Sequence, residues 1–172
     1  MTHGLGSDER VFIPGPDNAR GFRDALGAFA TGVTIVTARG PDGPVGMTAN
    51  SFTSVSLDPP LVLWSVARQS SRYPVFRSAA HFAIHVLGEG QQDLALAFAR
   101  SSFGFEGVDW QENDHGVPLL SGSLACFECR LHAAHEAGDH TILIGEVLRV
   151  TQGGGAPLCF SQGRFGAFTA SP

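Results

Sequence analysis

The fold is decided by residues 33–66, which read VTIVTARGPDGPVGMTANSFTSVSLDPPLVLWSV. Three runs rich in β-branched and apolar residues alternate in it with turn residues at 40–44 and 58–60. This pattern predicts three consecutive strands, because β-branched residues favour extended structure while Gly, Pro and Asp interrupt it. We expect the first two strands to form a hairpin whose loop is longer than two residues. We expect residues 61–66 to be buried on both faces.

The rest of the chain adds short helices and further strands. A helix is predicted from about residue 17, and its apolar face is formed by Phe22, Ala25, Leu26 and Phe29. Further helices are predicted at 70–80 and 91–100, and strands at 81–87, 124–132, 141–150 and 158–168. Since helices and strands do not alternate regularly, a small antiparallel β-barrel is favoured over a doubly wound sheet.

Size and charge limit the possible classes of protein. The chain has 172 residues, which suits one domain, expected at 17–172 after a flexible N-terminal arm at 1–16. Its net charge is −5 and no Lys/Arg stripe is present, so we expect no nucleic-acid partner. No apolar run approaches the roughly 20 residues of a membrane helix. Without a signal-peptide pattern or a disulfide framework, a cytoplasmic protein is expected.

Several motifs follow one another in the order and spacing of a known family. GVTIVT stands at 32–37, GMTANSF at 46–52, SVSLDPPLVL at 54–63, FAIHVL at 82–87, and Gly138-Asp139-His140 before IGEV at 144–147. Together they resemble the flavin reductase domain family, the split-barrel, FMN-binding-type reductase components of two-component monooxygenases. The resemblance covers nearly the whole chain, from about residue 20 to residue 168.

The resemblance implies both a fold and an activity. The fold would be mostly β, a split-barrel flavin-binding fold with Greek-key-like antiparallel strands and short helices. The activity would be that of an NAD(P)H:flavin oxidoreductase, which transfers hydride from NADH or NADPH to FMN or FAD. Reduced flavin would diffuse to a separate oxygenase, and the chain would form a homodimer. Three alternatives remain open: a non-enzymatic flavin or haem carrier, a self-sufficient flavin-dependent oxidase or oxygenase, and a structural interaction domain.

The polar groups around residues 46–51 suit the pyrimidine edge of a flavin, which presents both donors and acceptors. Small residues there also let the main chain approach a flat ring. By resemblance, we expect the ring in a groove formed by residues 47–51, 65–67 and 85–87. The expected flavin contacts are Gly46, Met47, Thr48, Ala49, Asn50, Ser51, Ser65, Val66, Ala67, Ser71, Arg72, His85, Val86, Leu87 and Phe98.

Some of these residues have a second interpretation. Ser71 and Arg72 are expected at the ribityl chain and phosphate, because Ser71 begins a predicted helix and Arg72 adds a forked donor. A plain N-cap serine beside a solvated arginine explains the same pair, and Arg68 competes as a phosphate partner. For Phe98 and His85 the alternative is a place in the core.

The expected nicotinamide side consists of His140, Arg164 and Phe165. The family's histidine at this point lies beside the nicotinamide, and Asp139 can orient its imidazole; the alternative is a surface histidine in a β-turn. Arg164 is the candidate for the dinucleotide phosphates. Phe165 stands where the family often has Tyr, so a role that needs the hydroxyl is in doubt. No catalytic acid–base pair is expected, because hydride passes directly between the two rings.

Cys126 and Cys129 have the spacing of a redox or zinc motif. On a strand, positions three apart point to opposite faces, so core packing is the expected role. No second pair completes a zinc site, and we expect no metal. No Gly-x-Gly-x-x-Gly opens a helix after a strand, so a nicotinamide would bind outside a Rossmann unit.

Overall fold

A computed structural model describes residues 10–170, and these form three α-helices and twelve strands. The helices are α1 (Ala19–Gly27), α2 (Tyr73–Ser78) and α3 (Gln92–Arg100). The strands are β1 (Thr31–Gly32), β2 (Thr34–Gly40), β3 (Gly43–Ala49), β4 (Thr53–Leu57), β5 (Pro60–Ala67), β6 (His81–Val86), β7 (Trp110–Glu112), β8 (Pro118–Leu120), β9 (Ala125–Ala137), β10 (His140–Gln152), β11 (Leu158–Ser161) and β12 (Arg164–Ala167). Residues 1–9, and so most of the predicted N-terminal arm, lie outside the described residues.

Seven strands form one antiparallel sheet in the order β3-β2-β6-β9-β10-β5-β4. The long strands β9 and β10 pair through two register shifts, which bend and twist the sheet. Although β3 and β4 are consecutive in the chain, they are the two outer strands of this sheet and do not pair with each other. The sheet is therefore split between them, and the predicted mostly β, antiparallel fold with short helices is confirmed.

The two larger clusters of buried side chains stabilise this arrangement. On one face of the sheet, Trp64 packs edge-on against Phe76 and Phe82, with ring centroids 5.0 and 6.3 Å apart. In the second cluster, Ile35 of β2 and Phe98 of α3 are both fully buried. Burying a side chain of this size contributes about 2–3 kcal/mol. The second cluster holds α3 against β2 and β3, next to the split in the sheet.

The β2–β3 hairpin is tighter than the sequence predicts. Gly40 pairs with Gly43, so the loop contains only residues 41–42, and the prediction of a longer loop is wrong. The turn-rich segment is misleading because Pro44 lies inside the ladder. An outer strand tolerates proline there, since its N–H on that side needs no strand partner.

Strand β5 is buried on one face only. Val62, Trp64 and Val66 are buried, whereas Leu63 and Ser65 between them are only half-buried. The prediction of burial on both faces is therefore wrong. An antiparallel sheet can leave one face partly open to solvent, and an apolar run does not reveal this.

Helix α1 forms as predicted, but its apolar face has no cover within residues 10–170. None of its residues is buried, and Phe22 and Leu26 are 43% and 58% exposed. Phe29, just beyond the helix, is 78% exposed. No described helix combines the length and apolar character needed to cross a bilayer.

The predicted terminal strand at 158–168 is a hairpin of β11 and β12. Its two-residue turn consists of Gln162 and Gly163, with φ of +50° and +76°. Positive φ at both positions is typical of a type I′ turn, which matches the natural twist of paired strands. This turn brings β12 back along β11, and the turn itself lies next to the C-terminal end of α1, where the Gln162 N–H donates to the Gly27 carbonyl.

Candidate functional site

One edge of β3 is open to a ligand. The other edge pairs with β2, and the Gly46 N–H points away from β2, since it donates to the Ser102 carbonyl at 3.0 Å. Because N–H groups alternate in direction along a strand, the Thr48 N–H points to this open edge as well. The Thr48 hydroxyl is fixed by α3, where it donates to the Ala95 carbonyl at 2.6 Å. Strand β3 thus presents a main-chain donor beside a fixed side chain.

Strand β5 has an open edge that faces this one. β4 pairs with β5 only as far as Leu63, so the following residues extend past the end of β4. There the Ser65 N–H donates to the Ser51 hydroxyl at 2.9 Å. The alternation of N–H groups places the Ala67 N–H on the same side as that of Ser65.

We call the region between residues 47–51 and residues 65–67 the seam, and the Ser51 hydroxyl joins its two sides by hydrogen bonds to Ser65. The Thr48 and Ala67 N–H groups point into it, and the exposed Asn50 adds an amide. These donors and acceptors fit the pyrimidine edge of a flavin, which needs both kinds of partner. The fold therefore brings together two of the three sequence stretches predicted to form the flavin groove.

His140 lies at one end of the seam. It is the first residue of β10 and pairs with Ala67 of β5. Its Nδ1–H donates to Asp139 Oδ1 at 2.7 Å, and this hydrogen bond lowers the pKa of the Asp139 carboxyl. Gly138, with φ of +65°, makes the tight turn that leads into β10. In the tautomer that carries its hydrogen on Nδ1, Nε2 is an acceptor.

An apolar cavity continues from the seam towards the C-terminal hairpin. Its lining is formed by Val33, Thr48, Ala49, Asn50, Leu96, Ala99, Phe160, Gly163 and Phe165. The rings of Phe160 and Phe165 pack edge-to-face with their centroids 5.2 Å apart. Phe165, predicted at the nicotinamide side, therefore shares a cavity with Thr48 and Asn50.

The predicted third wall of the groove lies elsewhere. β6, which carries His85 and Val86, is separated from β3 by β2, at about two strand spacings or roughly 10 Å. His85 and Leu87 are fully buried. The His85 Nδ1–H donates to the Ile35 carbonyl and Nε2 accepts from the Leu120 N–H, both at 3.1 Å. The prediction of flavin contacts is therefore wrong for the buried side chains of His85 and Leu87, and His85 is a core residue, whereas Val86, half-buried at the end of β6, stays a prediction.

Three further predicted contacts serve packing. Val66 and Phe98 are fully buried, so their side chains cannot reach a ring in the seam. A Cβ at Gly46 would overlap the Phe98 ring, so Gly46 makes room for α3 rather than for a flavin. Met47 is half-buried against the core, and only Ala49 among the remaining apolar candidates lines the cavity.

Ser71 and Arg72 lie outside the seam. The helix that follows them begins at Tyr73 and has only six residues. The Arg72 guanidinium donates to the carbonyls of Phe98 and Ala99, at 2.7 and 3.4 Å, and burial lowers its pKa. A cation in this position stabilises the C-terminal end of α3. The phosphate role of Ser71 and Arg72 stays a prediction.

Arg23 is a residue that the sequence analysis missed. It lines a cavity with Asp24, Gly27, Phe160, Gln162 and Gly163, next to the cavity that contains Phe165. Arginine on an amphipathic helix usually faces water, so the sequence carries no signal for this position. Only the contact between α1 and the β11–β12 turn places Arg23 there.

Cys126 and Cys129 are buried free thiols. Burial raises the pKa of both to about 12, which leaves no thiolate nucleophile at neutral pH. Their predicted role in core packing is confirmed. Within residues 10–170, no three His, Cys, Asp or Glu side chains are grouped so as to hold a metal ion.

Residues 26–169 match the sequence profile of the family described as flavin reductase like domain. This chain belongs to that family. The chain is 61% identical over 162 residues to the FMN reductase (NADH) SmoA of Agrobacterium fabrum, a match that covers 94% of this chain and 93% of SmoA.

Two further relatives extend the comparison. The first is the reductase component of the flavin-dependent trigonelline monooxygenase of Acinetobacter baylyi, 47% identical over 148 residues, with 85% of this chain and 48% of that protein covered. The flavin reductase thus spans about half the length of that relative. The second is the structure of the Streptomyces globisporus NADH:FAD oxidoreductase SgcE6 with NAD and FAD fragments. It matches with a TM-score of 0.85 at 42% identity, over 92% of this chain and 98% of that one.

These matches confirm three predictions from the sequence. They are the family itself, the assignment as an NAD(P)H-dependent flavin reductase, and FMN or FAD as the flavin.

Proposed function

We propose that this flavin reductase oxidises NADH and reduces FMN or FAD whose ring lies in the seam. The observation that carries the proposal is the pair of facing strand edges. Their Thr48 and Ala67 N–H groups point into the seam between them. NADH is preferred to NADPH in the proposal because SmoA and SgcE6 are both named as NADH-dependent.

The seam suits a flavin because its donors are fixed before the ligand arrives. The Ser51 hydroxyl bridges to Ser65, which keeps the two strand edges at a constant separation. Main-chain N–H groups held in this way bind without reorganisation. A bound flavin supplies the redox chemistry by accepting a hydride.

His140 and Phe165 flank the open side of the seam in this proposal and receive the nicotinamide. The Asp139 carboxylate holds the His140 Nδ1–H, so Nε2 accepts a hydrogen bond from the nicotinamide carboxamide. Phe165 excludes water from one side of the ring. Direct transfer needs the reacting atoms at about 3–3.5 Å, so these residues act by positioning rather than by proton transfer.

We propose that the reduced flavin is then released to a separate oxygenase. The exposure of Asn50 at the seam supports exchange of the flavin. The match to the reductase component of a monooxygenase supports the same division of labour.

We also propose that the enzyme is a homodimer in which a second copy covers the apolar face of α1. Phe22, Leu26 and Phe29 together form an exposed apolar patch of the kind that marks an interface. Leu26→Glu should therefore yield monomers in light scattering. A variant that keeps the oligomeric state of the wild type would contradict this role of α1.

A cytoplasmic location is part of the proposal. The three cysteines are free thiols, which suits a reducing compartment. NADH is also available there as reductant.

The function is tested by measuring oxidation of NADH and of NADPH with FMN, FAD or riboflavin. We expect rapid oxidation of NADH only when a flavin is added. Tight flavin binding without turnover would instead support a carrier. Product formed from an organic substrate without a partner protein would support a self-sufficient oxygenase, and absence of flavin affinity would overturn the proposed site.

A further inference from the structure

We propose that Arg23 binds the phosphates of the nicotinamide dinucleotide and so sets the affinity of the enzyme for NADH. This inference rests on the proposed function and adds a binding residue to it. It replaces Arg164, the candidate suggested by the sequence, with a residue from a different part of the chain.

Arg23 is held in place by the contact between α1 and the β11–β12 turn. The Gln162 N–H donates to the Gly27 carbonyl at 2.8 Å, and the Ser161 hydroxyl donates to the same oxygen at 3.2 Å. Arg23 and Gly27 are four residues apart and therefore share one face of the helix. The anchored end of α1 directs Arg23 towards the turn.

The position of Arg23 connects it to the seam. Phe160 and Gly163 line both the cavity of Arg23 and the apolar cavity that contains Thr48 and Phe165. The two cavities are therefore neighbours, with the cation at one end and the flavin site at the other. A dinucleotide with its nicotinamide at Phe165 would extend towards Arg23.

The electrostatics around His140 support the same placement. The pKa of Asp139 is lowered first by the hydrogen bond from His140, and also by the positive charge of Arg23. Arg23 is therefore close enough for its charge to act weakly on the Asp139 carboxyl.

The chemistry of the Arg23 cavity suits a pyrophosphate. A guanidinium offers a planar fork of donors that matches phosphate oxygens. Arg23 forms no ion pair with a residue in the range 10–170, so its charge is free to bind a ligand.

Arg164 is less suitable because of strand geometry. Phe165 lines the apolar cavity, and neighbouring residues of a strand point to opposite faces. The exposed Arg164 therefore lies on the face of β12 that is turned away from the cavity.

The test compares Arg23→Gln with Arg20→Gln, a matched change on the same exposed helix. Each variant is assayed with NADH and with dihydronicotinamide riboside, which has no phosphate. For Arg23→Gln we expect the KM for NADH to rise about tenfold, the loss typical of a charge-assisted hydrogen bond. The kcat, the KM for the riboside and the Kd for flavin should stay at wild-type values, as should all constants of Arg20→Gln.

Arg23→Lys keeps the charge and should recover part of the affinity for NADH. An unchanged KM for NADH in Arg23→Gln would overturn the proposal, as would an equal rise for NADH and the riboside. A rise in Arg164→Gln alone would assign the phosphates to Arg164 instead. Thermal melts of each variant exclude a folding defect, and a wild-type enzyme that oxidises no NADH with any flavin would remove the proposed function itself.

Discussion

Two histidines in this molecule both stand on strands, yet they differ in burial and in hydrogen bonding. His85 in β6 is fully buried and both its ring nitrogens bond to the main chain. His140 opens β10 with a side chain that is 44% exposed and bonds only to the neighbouring Asp139 among described residues. The first joins three strands together, whereas the second is left free to meet a ligand.

The difference follows from the location of each strand in the sheet. β6 lies between β2 and β9, so its residues have protein on both edges. His140 lies where β5 extends past the end of β4, so one side of its pair with Ala67 faces the seam. A buried, fully bonded histidine stabilises the fold, and an open one at the end of a slot can bind a ligand.

Removal of the buried histidine should have the largest effect. His85→Ala leaves the Ile35 carbonyl and the Leu120 N–H without partners and opens a cavity, so the free energy of unfolding should fall by about 4 kcal/mol. Urea denaturation measures this loss. His132→Ala, at an exposed position of β9, is the control and should change stability by less than about 0.5 kcal/mol. Equal stability of the two variants would show that His85 does not join the strands.

Lowering the pH should reveal the contribution of His85 to the free energy of unfolding. Burial lowers the pKa of His85 from 6.5 to about 4, so the native imidazole stays neutral while the unfolded chain takes up a proton. Its contribution is present above about pH 6.5 and is lost as the pH falls to about 4, a total of about 3 kcal/mol. The measurement is the free energy of unfolding across this window, for the wild type and for His85→Asn. Parallel pH profiles of the wild type and His85→Asn would contradict the assignment of this pH dependence to His85.

Gly46 of β3 lies between the buried region and the seam. A substitution at Gly46 tests whether it serves packing or flavin binding. Gly46→Ala should reduce the free energy of unfolding by about 2 kcal/mol, because the new methyl group overlaps the Phe98 ring. Gly32→Ala is the control, since a methyl group there meets nothing within 4 Å. A Gly46→Ala variant that stays fully stable but loses flavin would return Gly46 to the binding site.

Substitution of the exposed His140 should have the smallest effect, and this effect should be confined to ligand binding. His140→Ala should raise the KM for NADH about fivefold, the loss of one hydrogen bond, with little change in the Kd for flavin. Steady-state kinetics and a flavin fluorescence titration measure the two constants. His135→Ala, exposed on β9, should change neither. Equal loss of NADH affinity and flavin affinity would refute the assignment of His140 to the nicotinamide side.

Much of the candidate site could be predicted from the sequence, but unevenly. The two stretches around Thr48 and Ser65 were identified from their residues and resemblance, and the fold brings them face to face. Residues 85–87 carry an equally good family motif, yet β2 separates them from the seam. A motif shows that a strand exists, but not which strands lie between it and the ligand.

By itself, the sequence determined most of the longer strands, the short helices and the family. These depend on local properties: β-branched residues favour extended structure and Gly and Pro end it. Only the tertiary structure decided which edges stay open, which histidine is buried, and that Arg23 of α1 lies beside the turn at Gln162. These features depend on strand order and on contacts between distant segments. The alternation of side chains along one strand does not specify which strands lie beside it.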